Sequence, residues 1–217
     1  RKADARRRRD RLLKANLLKG VILEIGSSTG AFLELIHSDV TQCFGVEFDE
    51  RQRAFSTARG MTVYKSYVET PQDLHADTIV MFHVLEHVPN PVAFLSEVSD
   101  LLRRHGRMIV EVPNVCDALL SRYSIPEFAT FYWHPGHSYY FSKDTLLRLA
   151  KKANLEARVE PVQRYSLGNH LHWAVKRSPG GQDWLADVIS AETARAYAED
   201  LCKAFICDTL WMEARKP

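Results

Sequence analysis

The chain has 217 residues, a formal net charge of +2, and 46% hydrophobic and 26% charged residues, an ordinary globular composition that excludes fibrous, disulfide-rich and disordered classes. No run approaches 18 uninterrupted apolar residues, so no transmembrane helix is expected, and the charged amino terminus lacks the apolar segment of a secretory signal. The four cysteines, Cys43, Cys116, Cys202 and Cys207, are scattered without a CxxC pair and read as reduced thiols of a cytoplasmic protein.

Residues 1–20 carry nine Lys/Arg against two Asp, a local +7 that leaves −5 for the rest of the chain. Such a segment suits an anionic surface or nucleic acid. Equally, Leu12, Leu13, Leu17 and Leu18 give it the apolar strip of a helix packed on a domain. Strands and helices then alternate. Val21–Ile25 is a short apolar strand, followed by a glycine-containing loop and a helical pattern at Phe32, Leu33, Leu35 and Ile36. Gln42–Phe48 reads as the second strand, Arg51–Arg59 as a helix, Met61–Tyr64 as the third strand and Thr78–Phe82 as the fourth. Asn90-Pro91 opens a helix with proline at its first position, Gly106 is expected to end it, and Arg107–Val112 is the fifth strand. This alternation predicts a doubly wound, mostly parallel α/β sheet.

Residues 115–141 are rich in aromatics and histidine and read as a cover over the strand ends. Ser142 is expected to cap a helix over 143–153, with Asn154 as a left-handed stop. Strands over 156–162 and 170–176 would complete seven, and 183–212 reads as largely helical. Its apolar residues, Trp184, Leu185, Val188, Ile189, Tyr197, Leu201, Phe205, Leu210 and Trp211, suit packing on the sheet or a homodimer contact.

The most informative stretch is Glu24-Ile25-Gly26-Ser27-Ser28-Thr29-Gly30. It is not a P-loop, because no lysine follows Gly30, and its GxxxG spacing is not the dinucleotide fingerprint. A carboxylate at Glu24 repels phosphate but welcomes an ammonium group. Glu47, at the end of the second strand, is placed to accept two hydroxyl bonds from a ribose.

These residues resemble the first motif of class I S-adenosylmethionine-dependent methyltransferases, written [D/E]xGxGxG, with Ser28 in place of the middle glycine. Gly45-Val46-Glu47, the segment from Met81 to Pro91 and the segment from Gly106 to Asn114 are similar to further motifs of that family, in order, over about residues 18–178. The branch resembled contains bacterial sugar and glycan methyltransferases and ubiquinone-type enzymes. The resemblance implies a Rossmann-like seven-stranded sheet and S-adenosylmethionine as cofactor. In that reading Gly26, Ser27, Ser28 and Gly30 cradle the methionine part and Glu24 lies near its amino end. Glu47 holds the ribose with Phe48 beside it, Tyr67 or Val68 packs the adenine, and His83 sits at the sheet edge against the cofactor. A single domain over 1–217 is implied: basic helix 1–19, cofactor-binding core 20–114, cover and last strands 115–178, helical extension 179–217.

A hydroxyl acceptor needs help to lose its proton, and histidine has the suitable pKa. His83, His134 and His137 are the candidate bases. Some relatives bind a divalent metal through an acid-x-x-Glu-His motif with a downstream histidine; His83-x-x-Glu86-His87 with His137 is similar, and Glu86, His87 and His137 are the corresponding ligands. The aromatics Phe131, Tyr132, Trp133, Tyr139 and Tyr140 suit a sugar or planar acceptor, and Arg164 suits an anionic one. The implied reaction is O-methylation of a sugar or glycan hydroxyl, as in polysaccharide biosynthesis. The alternatives are a quinone or phenol acceptor, an RNA 2′-hydroxyl, or cofactor binding without catalysis.

Overall fold

A computed structural model describes residues 2–217. Its centre is a seven-stranded sheet in the order β3-β2-β1-β4-β5-β7-β6, formed by β1 (Val21–Ile25), β2 (Gln42–Val46), β3 (Val63–Tyr64), β4 (Ala76–Phe82), β5 (Leu102–Pro113), β6 (Glu156–Val162) and β7 (Thr209–Arg215). The first five are parallel, and β7 runs antiparallel to both β5 and β6. All five residues of β1 are buried, because a parallel strand covered on both faces has no solvent side.

Helices α1 (Lys2–Lys14), α2 (Ala31–Ile36), α3 (Glu50–Ala58), α4 (Pro91–Ser99) and α7 (Lys143–Lys152) flank the sheet. Their starts follow local chemistry. Asp49 accepts the Gln52 N–H at 2.9 Å to open α3, and Asn90 with Pro91 opens α4. Ser142 and Thr145 form a capping box on α7, and Asn154 takes the expected left-handed φ of 56°. One apolar cluster packs Ile79, Met81 and Met108 against Leu95, Leu146 and Leu149. A second packs Val80, Phe82, Ile109 and Trp211 against Leu12, Phe32 and Ile36.

Two expectations about the C-terminal third are corrected. Residues 170–176 are not a strand; they belong to α8 (Leu167–Lys176), which Ser166 caps by accepting the Asn169 N–H at 3.0 Å. The alternation of His170 and His172 with Leu171 and Trp173 suggests a strand, but His170 and Trp173 are both buried at helical i, i+3 spacing. The helical extension, in turn, does not run to Met212. α9 (Ala191–Lys203) ends at Lys203, and the seventh strand is β7, whose Leu210, Trp211, Met212 and Ala214 are buried between β5 and β6. The apolar residues 210 and 211 that suggested a homodimer contact are therefore core residues.

Gly106 is not a helix stop either. α4 ends at Ser99 and Gly106 lies inside β5, where a Cβ would stand 3.0 Å from the Arg103 carbonyl and 3.1 Å from that of Ala76. It marks a close backbone approach at the register break between β4 and β5. The cover contains α5 (Ala118–Ser121) and α6 (Pro126–Tyr132), joined to α8 by Phe128 against Trp173 at 5.1 Å. Among the described residues no helix is long and apolar enough to cross a membrane, and all four cysteines are unbridged.

The basic α1 turns several of its arginines inward. Arg7 donates to Glu111 at 2.8 Å and Arg8 donates to it at 2.5 and 3.0 Å. Arg9 pairs with Asp39 at 2.6 Å and Arg11 with Glu160. Arg8 also stacks over Phe82 at 4.3 Å, and Arg11 over Trp211 at 4.6 Å. Glu111 has no exposure, so removing its partners leaves a buried unpaired charge. Arg8→Ala is expected to lower stability by about 3 kcal/mol, within the range for breaking a buried pair, measurable by denaturant titration. A neutral response would show that Glu111 is held by other groups.

Candidate functional site

The glycine loop leaves the carboxyl end of β1 and bends sharply. Gly26 (φ 74°) and Ser27 both donate their N–H to the Val46 carbonyl, at 2.8 and 3.0 Å, tying the loop to β2. A Cβ at Gly26 would stand 2.4 Å from Val84 Cγ2, and one at Gly30 (φ 72°) 2.2 Å from Met61 Sδ. Ser28, where the motif usually has glycine, also adopts a left-handed φ of 51°, a conformation that costs a non-glycine residue about 1 kcal/mol or more. Two bonds hold it there: its N–H donates to Glu47 Oε2 at 2.7 Å, and its hydroxyl donates to Gln52 at 2.5 Å.

Glu47 also accepts the Asp49 N–H through Oε1 at 2.8 Å. Its orientation is thus set by the backbone, while each oxygen keeps a lone pair for a ligand hydroxyl. Glu24 is 5% exposed, and its Oε2 and the Ser27 hydroxyl are buried without hydrogen-bond partners among the described residues. Burial pushes the Glu24 carboxyl up to about 8, with Arg8 opposing and Glu47 adding to the rise. Phe48 and Val68 are strongly exposed, whereas Tyr67 donates to Glu97 at 2.5 Å and lies edge-on to Phe94.

Beside this crevice, at the ends of β4 and β5, is a cavity of about 490 Å³. Phe128, Phe131, Tyr132 and Tyr165 give it aromatic surface, and Asp117, Arg164 and Asp208 give it charged groups. His83, His87, His134 and His137 all border it. Of the aromatics singled out in the sequence, Phe131 and Tyr132 line this cavity. Tyr140 instead accepts the His134 N–H at 2.6 Å, and Tyr139 donates to the Pro89 carbonyl. Burial keeps the Asp117 carboxyl up at about 7, while the Leu119 N–H that it accepts as a helix cap opposes the rise.

The three candidate bases differ in what their ring nitrogens already do. His83 has a left-handed φ of 57°. Its Nδ1 lies 3.2 Å from Glu86 Oε1, and its Nε2 lies 3.1 Å from Arg164 Nη1 and 3.3 Å from Glu111. Both nitrogens are engaged. Burial works against its charge, but Glu111 and Glu86 outweigh that and raise its pKa above the ordinary value. His134 Nδ1 accepts the Gly136 N–H at 3.0 Å, so its neutral ring presents a donor at Nε2. His137 Nδ1 is buried without a partner among the described residues, and burial lowers the pKa of the ring below its ordinary value, which favours the neutral form.

Asp117 and Asp208, which line the cavity, and Glu111, 3.3 Å from His83, were not singled out from the sequence. Asp208 accepts from Arg164 Nε at 3.0 Å and from the Arg164 and Tyr165 N–H groups, which makes Arg164 a buried ion-pair partner at the cavity wall. A helical reading of residues 183–212 hid Asp208. Glu111 stands in a recognised strand, where an acid amid apolar residues was the available signal.

A family model described as "Methyltransferase domain" matches residues 1–159. The chain belongs to this family, and with it to the class I S-adenosylmethionine-dependent methyltransferases. A "probable S-adenosylmethionine-dependent methyltransferase" of Mycolicibacterium smegmatis is 32% identical over 97 residues, which cover 43% of this chain and 38% of that protein. The match thus spans well under half the length of the relative. The fold is similar to a SAM-dependent methyltransferase from Archaeoglobus fulgidus (TM-score 0.68, 20% identity, 100% of this chain and 95% of the other). It is also similar to magnesium protoporphyrin IX methyltransferase from Synechocystis with bound SAH (TM-score 0.62, 10% identity, 100% and 83%).

Glu24 yields a prediction for the ligand-free protein. Its folded pKa of about 8 lies above the ordinary carboxylate value, so the folded state binds more protons than the unfolded state between about pH 4.5 and 8. This group's contribution to stability is complete below pH 4.5 and is lost as pH rises through 8. Thermal melts should show Glu24→Gln more stable than the parent at pH 9, with the gap closing by pH 5. A gap independent of pH would contradict the assignment.

Proposed function

We propose that the protein transfers the methyl group of S-adenosylmethionine to a hydroxyl of a sugar or glycan held in the 490 Å³ cavity. The observation that carries this reading is a cavity with aromatic walls, charged groups and a neutral imidazole, opening beside a glycine-loop crevice with unpartnered polar atoms. The cofactor supplies an electrophilic methyl on a sulfonium, with a neutral thioether as leaving group. Residues 1–217 act as one unit in this reading.

The orphaned atoms of the crevice fit the cofactor. Glu24 Oε2 and the Ser27 hydroxyl receive its ammonium end, which restores the hydrogen bonds that the buried groups lack. Gly26, Ser28 and Gly30 let the backbone approach closely, and Glu47 accepts from the two ribose hydroxyls. Phe48 and Val68, both exposed, cover the adenine. Phe128, Phe131, Tyr132 and Tyr165 stack on the acceptor ring while Asp117 and Arg164 bond its hydroxyls. Proton removal falls to the His87–His137 pair. His87 donates through Nδ1 to the Gly136 carbonyl at 2.8 Å, so both rings keep a free lone pair. His83 positions the cavity wall, and His134 donates a hydrogen bond at the rim. The inward pairing of Arg7, Arg8, Arg9 and Arg11 favours a small acceptor over RNA.

Gly26→Val is expected to abolish S-adenosylhomocysteine binding by calorimetry, because the added side chain meets Val84 and the φ of 74° is strained. His137→Ala should bind the cofactor product normally and lose about 100-fold or more in turnover. Equal loss of binding in both variants would refute this division of roles. The acceptor is tested with methyl-labelled S-adenosylmethionine against nucleotide sugars, oligosaccharides, phenols and RNA. Label on a sugar hydroxyl is expected; label only on a phenol or RNA would overturn the sugar reading.

A further inference from the structure

We infer that the acceptor carries an amino group, seated as an ammonium on Asp117 against the aromatic wall of the cavity, which makes it an amino sugar. Besides the histidines, the charged side chains lining the cavity are Asp117, Arg164 and Asp208. Arg164 and Asp208 neutralise one another, with Nε 3.0 Å from Oδ1. Asp208 has little left to offer a ligand. It accepts the Arg164 and Tyr165 N–H groups at 2.6 and 3.0 Å, the Arg164 guanidinium, and the Thr209 hydroxyl. His83 faces Glu86 and Glu111, so a charge on it is matched as well. Asp117 stands apart: among the described residues no Lys, Arg or His lies within ion-pairing distance of it. One of its oxygens accepts the Leu119 N–H at 2.7 Å and the other has no hydrogen-bond partner among the described residues.

Asp117 is only 2% exposed, yet it borders the cavity, so its free oxygen meets a ligand out of bulk water. A buried carboxylate without a cation is costly, which is why burial raises this group despite its bond to the Leu119 N–H. An ammonium supplies the missing charge. The position is fixed by the backbone, since Asp117 caps α5 and its N–H donates to the Asn114 carbonyl at 3.0 Å. The apolar wall suits the same ligand. Phe128, Phe131 and Tyr132 share α6, with the last two rings 6.2 and 5.8 Å from Phe128, and aromatic faces attract an ammonium most strongly away from water. A carboxylate or phosphate would instead meet the like charge of Asp117 and find Arg164 already neutralised. This inference rests on the proposed methyl transfer and divides the cavity. Asp117 takes the ammonium in place of a ring hydroxyl, Arg164 keeps a hydroxyl, and His87 and His137 stay free for the proton of the reacting one.

The test compares methyl glucosaminide with methyl glucoside, and the galactose pair likewise, near neutral pH. Each pair differs only by an amine in place of one hydroxyl. Binding to the protein loaded with S-adenosylhomocysteine is read by calorimetry, and methyl transfer by label from S-adenosylmethionine. The parent should bind one of the amino sugars about tenfold or more tighter than its hydroxyl counterpart, a modest share of what a buried charge pair can contribute. Asp117→Asn retains a residue that caps α5 and should lose that preference, with its fold checked by S-adenosylhomocysteine binding. The parent's own preference needs no variant, so the test survives if Asp117→Asn misfolds. Equal binding within both pairs, tighter binding of methyl glucuronoside, or a preference kept by Asp117→Asn would overturn the ammonium seat. So would label on the nitrogen, because the amine would then lie at the cofactor and not at Asp117. Amino-sugar preference without label on any sugar would leave the seat standing and sink the methyl-transfer reading; equal labelling and binding of both members of each pair would do the reverse.

Discussion

Glu111 projects from β5 with no exposed surface, accepts from Arg7 and Arg8 of α1, and lies 3.3 Å from His83. Its burial favours the neutral acid, but His83, Arg8 and Arg7 together hold the carboxyl well below the usual range, so it is charged. A charge in that position requires every partner to be in place. Through it α1 is bound to the sheet, and His83 is turned toward Arg164 and Glu86. Arg164 in turn is held by Asp208 at the start of β7. The chain of contacts therefore links the first helix, the middle of the sheet, the last strand and the wall of the aromatic cavity.

Two of the left-handed non-glycine residues stand just after parallel strands β1 and β4. Ser28 and His83 are non-glycine residues in left-handed conformations, one in the glycine loop after β1 and one at the end of β4. Each is held by backbone and side-chain bonds from neighbouring strands, Ser28 to Glu47 and His83 to the Glu111 carbonyl at 2.8 Å. Such residues persist where the surroundings over-determine them.

Among the described residues, five of the eight buried polar atoms without partners lie in two places: Glu24 Oε2 and the Ser27 hydroxyl in the glycine-loop crevice, and Glu86 Oε2, Tyr132 Oη and His137 Nδ1 beside the aromatic cavity; the others are Arg7 Nε and Nη1 and Asn169 Oδ1. In a native fold buried polar groups are almost always satisfied. His170, by contrast, is a structural histidine: it bonds Tyr197 at 2.7 Å, and burial lowers its pKa to about 4.

What the residues determined by themselves is local. The apolar run of β1, the caps at Asn90 and Ser142, and the spacing of Glu24, Gly26, Gly30 and Glu47 each depend on neighbours within a few positions. Apart from Gly106, such local signals were legible as far as the strand at 156–162, and the motifs up to residue 114 resembled the methyltransferase family. The candidate histidines were legible as types but not as roles, because which ring nitrogen is free depends on Gly136, Arg164 and Glu86. Tertiary structure alone decided that residues 209–215 enter the sheet as an antiparallel strand, since their burial comes from β5 and β6, more than 40 residues away. It likewise turned the basic α1 inward onto Glu111 and brought His137 to Glu86 and His87. Contacts between residues so far apart leave no periodicity in the sequence, because long-range pairing and burial are properties of the assembled fold.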